Sequence, residues 1–323
     1  MYGKFLYLHH TSANMIKYIF KRILNMIPVI LGVTLLVFLI MDLAPGDPVL
    51  LILGDNATEE ARIAKTAELG LDKPLIIRYF NYVANFFKGD MGKSYITNRS
   101  VSEEVFARFP NTLKLSLVAS AASIAIAIPL GVIAAVKQNS IFDNVSMVLS
   151  MIGNSMPAFW LGLVLVIIFA LNMRLFPVQG ANAGWKSYVL PSIAIGLMNM
   201  AAVARTTRSS MLETIRQDYI RTAKSKGISK YKVIMQHAFI NALIPTLTVI
   251  GVQLGNLLGG AVITETVFAW PGIGRLMVQS VSSRDVPMIL GCVITLSICY
   301  SAVNLIVDLL YGFVDPRVRS MYT

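Results

Sequence analysis

The residues whose types and spacing come nearest to known chemistry stand in FKGDMGKSY, Phe87 to Tyr95. Gly92, Lys93 and Ser94 reproduce the end of a G-x-x-x-x-G-K-[ST] phosphate loop. In such a loop backbone amides cradle the phosphates, the lysine reaches the outer ones and the hydroxyl holds magnesium. The opening glycine is also required, and its position holds Phe87. No buried strand is expected ahead of it, so a nucleotide site here is not supported. The other reactive side chains are sparse. His9, His10 and His237 form no cluster with Cys, Asp or Glu, so no structural metal is expected. Cys292 and Cys299 lie two helical turns apart in one apolar run, too far for a disulfide, and read as packing residues. His9 and His10 fall in a short polar leader that is expected to be disordered.

What positions these groups is a membrane. The chain of 323 residues is 55% hydrophobic and 14% charged, with a mean hydropathy of +0.66, outside the range of soluble globular chains. Crossing roughly 30 Å of hydrocarbon takes about 20 helical residues. Six runs qualify, at 23–43, 113–136, 146–171, 188–204, 241–263 and 288–310. Their centres hold no Asp, Glu, Lys or Arg, each of which would cost about 2.5–3.5 kcal/mol at mid-bilayer. Ile23 to Leu43 exceeds the roughly 7–15 apolar residues of a signal peptide, and APGDP is a poor cleavage site. A retained first helix is therefore expected.

The net charge of +11 is not a nucleic-acid signal, because of where the charge lies. Segment 205–240 holds Arg205, Arg208, Arg216, Arg221, Lys224, Lys226, Lys230 and Lys232 against Glu213 and Asp218, a balance of +6. Lys17, Lys21, Arg22, Lys137, Arg317 and Arg319 fall on the same side of a six-span chain. Short basic loops stay in the cytoplasm, so both termini and this loop are placed there. The loop 44–112 then lies outside; it is near neutral, and long enough to escape that rule. GDMGKS would face a compartment without ATP. The expected organisation is a cytoplasmic segment 1–22, a first span 23–44, an external loop 45–110, a core 111–312 with a cytoplasmic loop 205–240, and a tail 313–323.

Within the outer loop, Thr58 is a helix N-cap candidate ahead of EEARIAKTAE, and Gly70 a stop. Tyr79, Tyr82, Val83, Phe86 and Phe87 form an aromatic stripe suited to the membrane interface. A small helical cap without a core of its own is expected. In span five, Gly251, Gly255 and Gly259 recur every fourth residue and leave one face bare, while Gln253 and Asn256 project elsewhere. Such a face serves packing within the chain, or lines a passage or subunit seam. The loop 205–245 carries Met211, Leu212, Ile215, Tyr219, Ile220 and Ala223 at helical spacing, then Gly227 as a C-cap and Ser229 as the next N-cap. A helix–glycine–helix corner of this kind suits docking into a groove on another protein, where a plain basic loop would only set topology.

DYIRTAKSKG at that corner resembles the E-A-A-x-x-x-G signature of the membrane subunits of ATP-binding-cassette importers. Arg221, Thr222 and Ala223 occupy the E-A-A positions and Gly227 the glycine. The Leu-Pro that should follow departs, standing later as Leu243-Ile244-Pro245. The chain is similar to the peptide/nickel branch of these permeases along most of its length. IPVILGVTLLVFLIMDLAPGDP (27–48), GDMGKS (89–94), PAFWLGLVLVIIFA (157–170), ARTTRSSMLETIRQDYIRTAKSKG (204–227), NALIPTLTVIG (241–251), ETVFAWPGIGRLMVQSV (265–281) and NLIVDLLYGFVDPRVR (304–319) carry the likeness.

The resemblance implies an all-α polytopic membrane protein of six transmembrane helices, with the type I ABC importer permease fold and cytoplasmic termini, in a bacterial inner membrane. It implies a second homologous permease chain, two cytoplasmic ATPase subunits that bind the ATP and magnesium, and an extracytoplasmic solute-binding protein. The chain itself would hold no cofactor and bind no nucleic acid. Asp218, Tyr219, Arg221, Thr222, Ala223, Lys224 and Gly227 would take the push of the ATPases. Gly251, Gln253, Gly255, Asn256 and Gly259 would border the solute path or the subunit seam. Trp270, Pro271, Gly272, Gly274, Arg284 and Asp285 would lie at the outer mouth, near the docked binding protein. Short peptides are the expected cargo, with nickel chelates, glutathione and oligosaccharides as alternatives. An ion-coupled carrier would keep ionisable residues inside its spans, whereas Asp42, Glu265 and Asp308 sit at span ends. A membrane enzyme would need a convergent catalytic set, and His237, the two cysteines and the loop carboxylates do not make one.

Overall fold

A computed structural model describes residues 2–44, 46–54 and 56–314, with side chains described over 19–309 apart from 45, 55, 154, 258 and 260. Among the described residues the regular structure is helical, and the one extended pairing is an isolated antiparallel bridge between Lys93 and Ser100.

The first span is the end of a long helix, α1 (Tyr2–Leu43). Its apolar, membrane-length part is Ile19–Leu43, and the side chains of residues 1–18, where His9 and His10 of the expected leader stand, lie outside the described residues. The cap follows as three short helices. Asp47 starts α2 (Pro48–Leu53) by accepting from Val49 N at 2.8 Å, with Pro48 at the first helical position where its missing N–H costs nothing. Thr58 caps α3 (Glu59–Glu68) by accepting from Ala61 N, and α4 (Leu75–Phe87) comes next. The aromatic stripe of α4 divides: Tyr79 is buried against Phe38 and Leu290, with Tyr82 and Val83 beside it, while Phe87 is exposed. The stripe therefore fastens the cap onto α1, where the Tyr79 hydroxyl donates to Leu31 O at 2.9 Å.

The second span, α5 (Val101–Val136), begins inside the segment expected to be loop and runs through Pro110 and Pro129. The third is not one straight helix. α6 (Ile141–Ser155) and α7 (Ala158–Leu165), which continues into a π-helical Val166–Asn172, meet at a bend of 104° around Met156 and Pro157. Pro157 has no N–H to give and disfavours helix at the residue before it. α8 (Lys186–Ile215) extends well beyond the expected end at 204, so the first third of the presumed loop 205–240 is span helix. A break at Arg216 and Gln217 leads to α9 (Asp218–Ser225), then α10 (Lys230–Lys232), a π-helical Val233–Phe239 and α11 (Ile240–Val267). α12 (Ile273–Ser282) and α13 (Val286–Val314) complete the chain; the tail from 315 lies outside the described residues. Among the described residues five helices are long and apolar enough to cross a membrane, and the bent α6–α7 pair supplies a sixth if it counts as one span.

α5 and α8 form the centre, and α11 packs on both and on α13. Lipid provides little hydrophobic drive between helices, so close backbone approach has to hold them. At Gly196 a Cβ would meet Ser123 Oγ at 2.5 Å, and that hydroxyl lies 2.7 Å from Ala119 O and 2.9 Å from Gly196 O. Ala119 and Ala127 of α5 and Ala194 and Ala201 of α8 are also buried small residues. α1 lies outside this core, packed on α13 and α4.

Candidate functional site

The corner after α8 is built as a seat with an open back. Ile220 and Ala223 of α9 are buried in a cluster with Ala135, Met211, Val233, Ala238 and Ala242, which ties α9 to the ends of α5, α8 and α11. Asp218, Tyr219, Arg221, Thr222 and Lys224 are exposed, Arg221 with 79% of its side chain accessible. Gly227 closes the helix at φ +74°, with its N–H donating to Lys224 O at 3.0 Å and Ile228 N donating to Ala223 O at 3.4 Å. A Cβ there would meet nothing within 4 Å, so backbone conformation alone demands the glycine. Ser229 stands at the start of α10, but its hydroxyl makes no capping bond, contrary to the expectation from its position.

The glycine stripe of α11 splits in two. A Cβ at Gly251 would lie 2.1 Å from Val307 Cγ1 and one at Gly255 2.8 Å from Tyr300 Cε2, so these two seat α13 within the chain. Gly259 has nothing within 4 Å. Val252, Asn256, Gly259 and Ile263 are exposed and recur at helical spacing, which makes one continuous stripe that no described part of the chain covers. Gln253 is half-buried and accepts from Asn256 Nδ2 at 3.3 Å.

The six residues expected at an outer mouth lie at the other end of α8 and α11, and most face inward. Trp270 is fully buried, edge-on to Tyr188 at 4.7 Å between ring centroids, and its indole N–H donates to Asn111 O at 3.1 Å. Gly272 and Gly274 make room for a residue that the sequence reading left aside, Glu265. A Cβ at Gly272 would lie 2.2 Å from Glu265 Oε1, and one at Gly274 would lie 2.4 Å from Val262 Cα. Glu265 is fully buried; it accepts from Thr112 Oγ1 at 2.6 Å and from Arg275 N at 3.0 Å, while Thr112 Oγ1 accepts from Ile273 N at 2.9 Å. One carboxylate thus fastens α5, the end of α11 and the start of α12, whose free N–H groups favour an anion. The signal for it was an acid closing an apolar run just before W-P-G-x-G.

Asp285 is buried as well. It accepts from Ser94 Oγ and, at 3.0 Å, from Tyr95 N. The serine that a phosphate loop would give to magnesium is spent on this carboxylate, and its oxygen also accepts from Ile96 N and Thr97 N. Burial pushes the Tyr95 phenol up, against the opposing pull of Arg78. Arg284, half-buried, donates to Ala44 O at 3.1 Å and Gly46 O at 2.8 Å. Pro271 is half-buried. Cys292 and Cys299 are free thiols, and among the described residues no three His, Cys, Asp or Glu side chains gather as a metal site would require.

Comparison with known proteins agrees with this architecture. Residues 127–320 match the family described as binding-protein-dependent transport system inner membrane component, and residues 15–116 match the N-terminal region of such membrane components. A Brucella abortus chain described as a peptide transport system permease is 43% identical over 308 residues, covering 93% of this chain and 98% of its own. The dipeptide transport system permease protein of Escherichia coli is 40% identical over 336 residues, covering 94% and 99%. The glutathione transport system permease protein of Salmonella choleraesuis is 41% identical over 305 residues, with the same coverages. Among solved structures, a chain of the MetNI methionine ABC transporter in inward-facing conformations superposes with a TM-score of 0.54 at 17% identity, covering 65% of this chain and 95% of that one, a likeness of fold. The chain therefore belongs to the inner-membrane components of binding-protein-dependent transport systems, the multi-pass permease subunits of ABC importers, which are not catalysts themselves.

Proposed function

We propose that this chain is one of two homologous membrane halves of an importer of short peptides, turned by two cytoplasmic ATPase subunits and supplied by an extracytoplasmic solute-binding protein. The observation that carries the reading is the α9 corner: a two-turn helix whose inner residues Ile220 and Ala223 seat on the ends of three spans while its charged back stays open. A push on that back reaches α5, α8 and α11 together. The concentration of Lys and Arg in 205–240 favours a cytoplasmic corner and cytoplasmic termini. The uncovered stripe Val252, Asn256, Gly259 and Ile263 is the part of α11 that meets the solute path or the second permease chain. ATP and magnesium belong to the ATPase subunits. Peptide cargo is favoured because relatives covering nearly the whole chain carry dipeptide and glutathione transport, and glutathione is itself a short peptide.

The test is uptake of labelled dialanine by the complete assembly in proteoliposomes, with ATP and without an ion gradient. ATP-dependent uptake that is lost in Gly227→Pro while the assembly still hydrolyses ATP is the expected result. Uptake by this chain alone under a proton gradient, or reaction of a thiol placed at Lys226 with an external reagent in intact cells, would overturn it. Competition by dipeptides, glutathione, a nickel chelate and an oligosaccharide then fixes the cargo class.

A further inference from the structure

α8 carries a second set of contacts at its α9 end, made by arginines beside the apolar residues Met211, Leu212 and Ile215 that pack with Ile220 and Ala223. Arg205 and Arg208 of α8 and Arg216, just past its end, each reach the α5–α6 hairpin. Arg205 Nη1 donates to Ser150 O in the middle of α6 at 3.1 Å. Arg216 Nη2 donates to Gln138 Oε1 in the turn before α6 at 3.4 Å. Between them Arg208 grips Asp143 with two nitrogens, Nη2 standing 2.7 Å from Oδ2. Asp143 is only 1% exposed, and Oδ2 also accepts from Asn139 N at 2.9 Å, where the chain turns at φ +63°. A bidentate guanidinium–carboxylate pair fixes orientation as well as distance. Burial at the end of a span removes the competing water.

The rest of the bent span is placed to receive what this grip delivers. α6 packs on α8 and α5, and its outer face leaves Ile141, Phe142, Val145, Leu149 and Ile152 exposed. At its far end lies the 104° bend, then α7, which packs on α8 and α11. Gly162 of α7 sits beneath the last turn of α11, where a Cβ would lie 3.1 Å from Phe268 Cε2. A displacement of α9 therefore has two routes into the core: the apolar seat, and the arginines that take α6 along with α8.

We propose that Asp143 and Arg208 are positioning residues that clamp α6 to α8, so that α6 moves as one body with the α9 corner and the α6–α7 bend carries the ATP-driven displacement toward the end of α11. This rests on the importer reading above and adds the element that moves. The clamp makes α6, α8 and α9 a rigid unit and leaves the flexing to Met156 and Pro157. It also gives the basic residues of α8 a task beyond topology, since Arg205 and Arg208 are spent on α6.

The experiment uses the whole assembly in proteoliposomes and compares Asp143→Asn and Arg208→Lys with wild type. Expected are intact assembly, retained ATP hydrolysis and a drop of about fivefold or more in dialanine transported per ATP hydrolysed. The loss should be milder for Arg208→Lys, which keeps the charge but not the two-pronged grip. Hydrolysis and uptake falling in proportion, with an unchanged ratio, would reduce the pair to a fold-stabilising contact and overturn the proposal. A second measurement does not depend on those variants. In a Cys292→Ala, Cys299→Ala background, spin labels at Val145→Cys on α6 and Glu213→Cys on α8 should keep one mutual distance in nucleotide-free and ATP-trapped assemblies; a change on trapping would also overturn the clamp. Uptake without ATP would instead defeat the importer reading, and the labelled distance would still decide whether α6 and α8 move together.

Discussion

The two ends of α8 and α11 are built in opposite ways. At the Trp270 end the polar groups are turned inward: Glu265, Asp285, Thr112 and Ser94 are buried, and each finds its partner within the chain. At the α9 end the Asp143–Arg208 pair is turned inward, but the outer layer is open: the exposed Asp218 and Arg221 approach each other no closer than 3.9 Å with most of both side chains in solvent. The glycines tell the same story. Gly272 and Gly274 are demanded by neighbours that a Cβ would strike, whereas Gly227 is demanded by its own backbone angle and has open space around it. One end holds itself together; the other leaves a charged surface open, as the proposed docking of a partner requires. A transporter driven from one side by separate ATPases needs this asymmetry, because a seat already satisfied internally would have nothing to offer a partner.

Substitutions at the two ends should therefore separate stability from transport. Trp270→Ala should have the largest structural effect, a loss of about 3–5 kcal/mol through the cavity and the lost indole bond to Asn111 O, seen as a collapsed thermal midpoint in detergent. Asp285→Ala should cost about 1–3 kcal/mol by stranding Ser94 Oγ and Tyr95 N, and faster proteolysis of the cap should accompany it. Gly251→Ala should cost a comparable amount by overpacking against Val307, whereas Gly259→Ala should stay within about 0.5 kcal/mol in the isolated chain. If Gly259 meets a second permease chain, Gly259→Leu should lower recovery of the complete assembly and leave the midpoint of this chain unchanged. Gly227→Ala should cost about 1–2 kcal/mol of backbone strain at φ +74°. Arg221→Ala should be smallest in stability, within about 0.5 kcal/mol, yet it should reduce ATP-driven uptake. An Arg221 variant that melts the chain, or a Trp270 variant that spares it, would break the contrast.

The spans were legible because lipid imposes a harsh filter: an uncharged run either reaches about 20 residues or it does not. The bend was written too, as Pro157 inside the third run, but unbroken hydropathy on both sides concealed it. The extension of α8 to Ile215 was hidden by the opposite effect, since its arginines looked like loop residues until their acceptors on α6 were known. Glu265 and Asp285 depend on partners 153 and 191 residues away, Thr112 and Ser94, and no local pattern carries that information. Glycine spacing in α11 showed a bare face without saying what lies over it: Gly251 and Gly255 went to α13, and Gly259 did not. The α9 corner was read in part. Ile220, Ala223 and the glycine stop at Gly227 are local signals. The break at Arg216 and Gln217 that parts them from Met211, Leu212 and Ile215 was not seen, and Tyr219 is exposed.

Arg284 has a bearing on how the molecule is made. Its guanidinium closes on the carbonyls of Ala44 and Gly46, 240 and 238 positions earlier in the chain. A polypeptide threaded into the bilayer segment by segment would leave the turn after α1 unlatched during almost all of its synthesis, and the loop emerging just ahead of the final span would be what fastens it. A chain stopped before Arg284 would lack this latch on the turn after α1, and the Tyr79 contacts to α1 would be left to hold the cap.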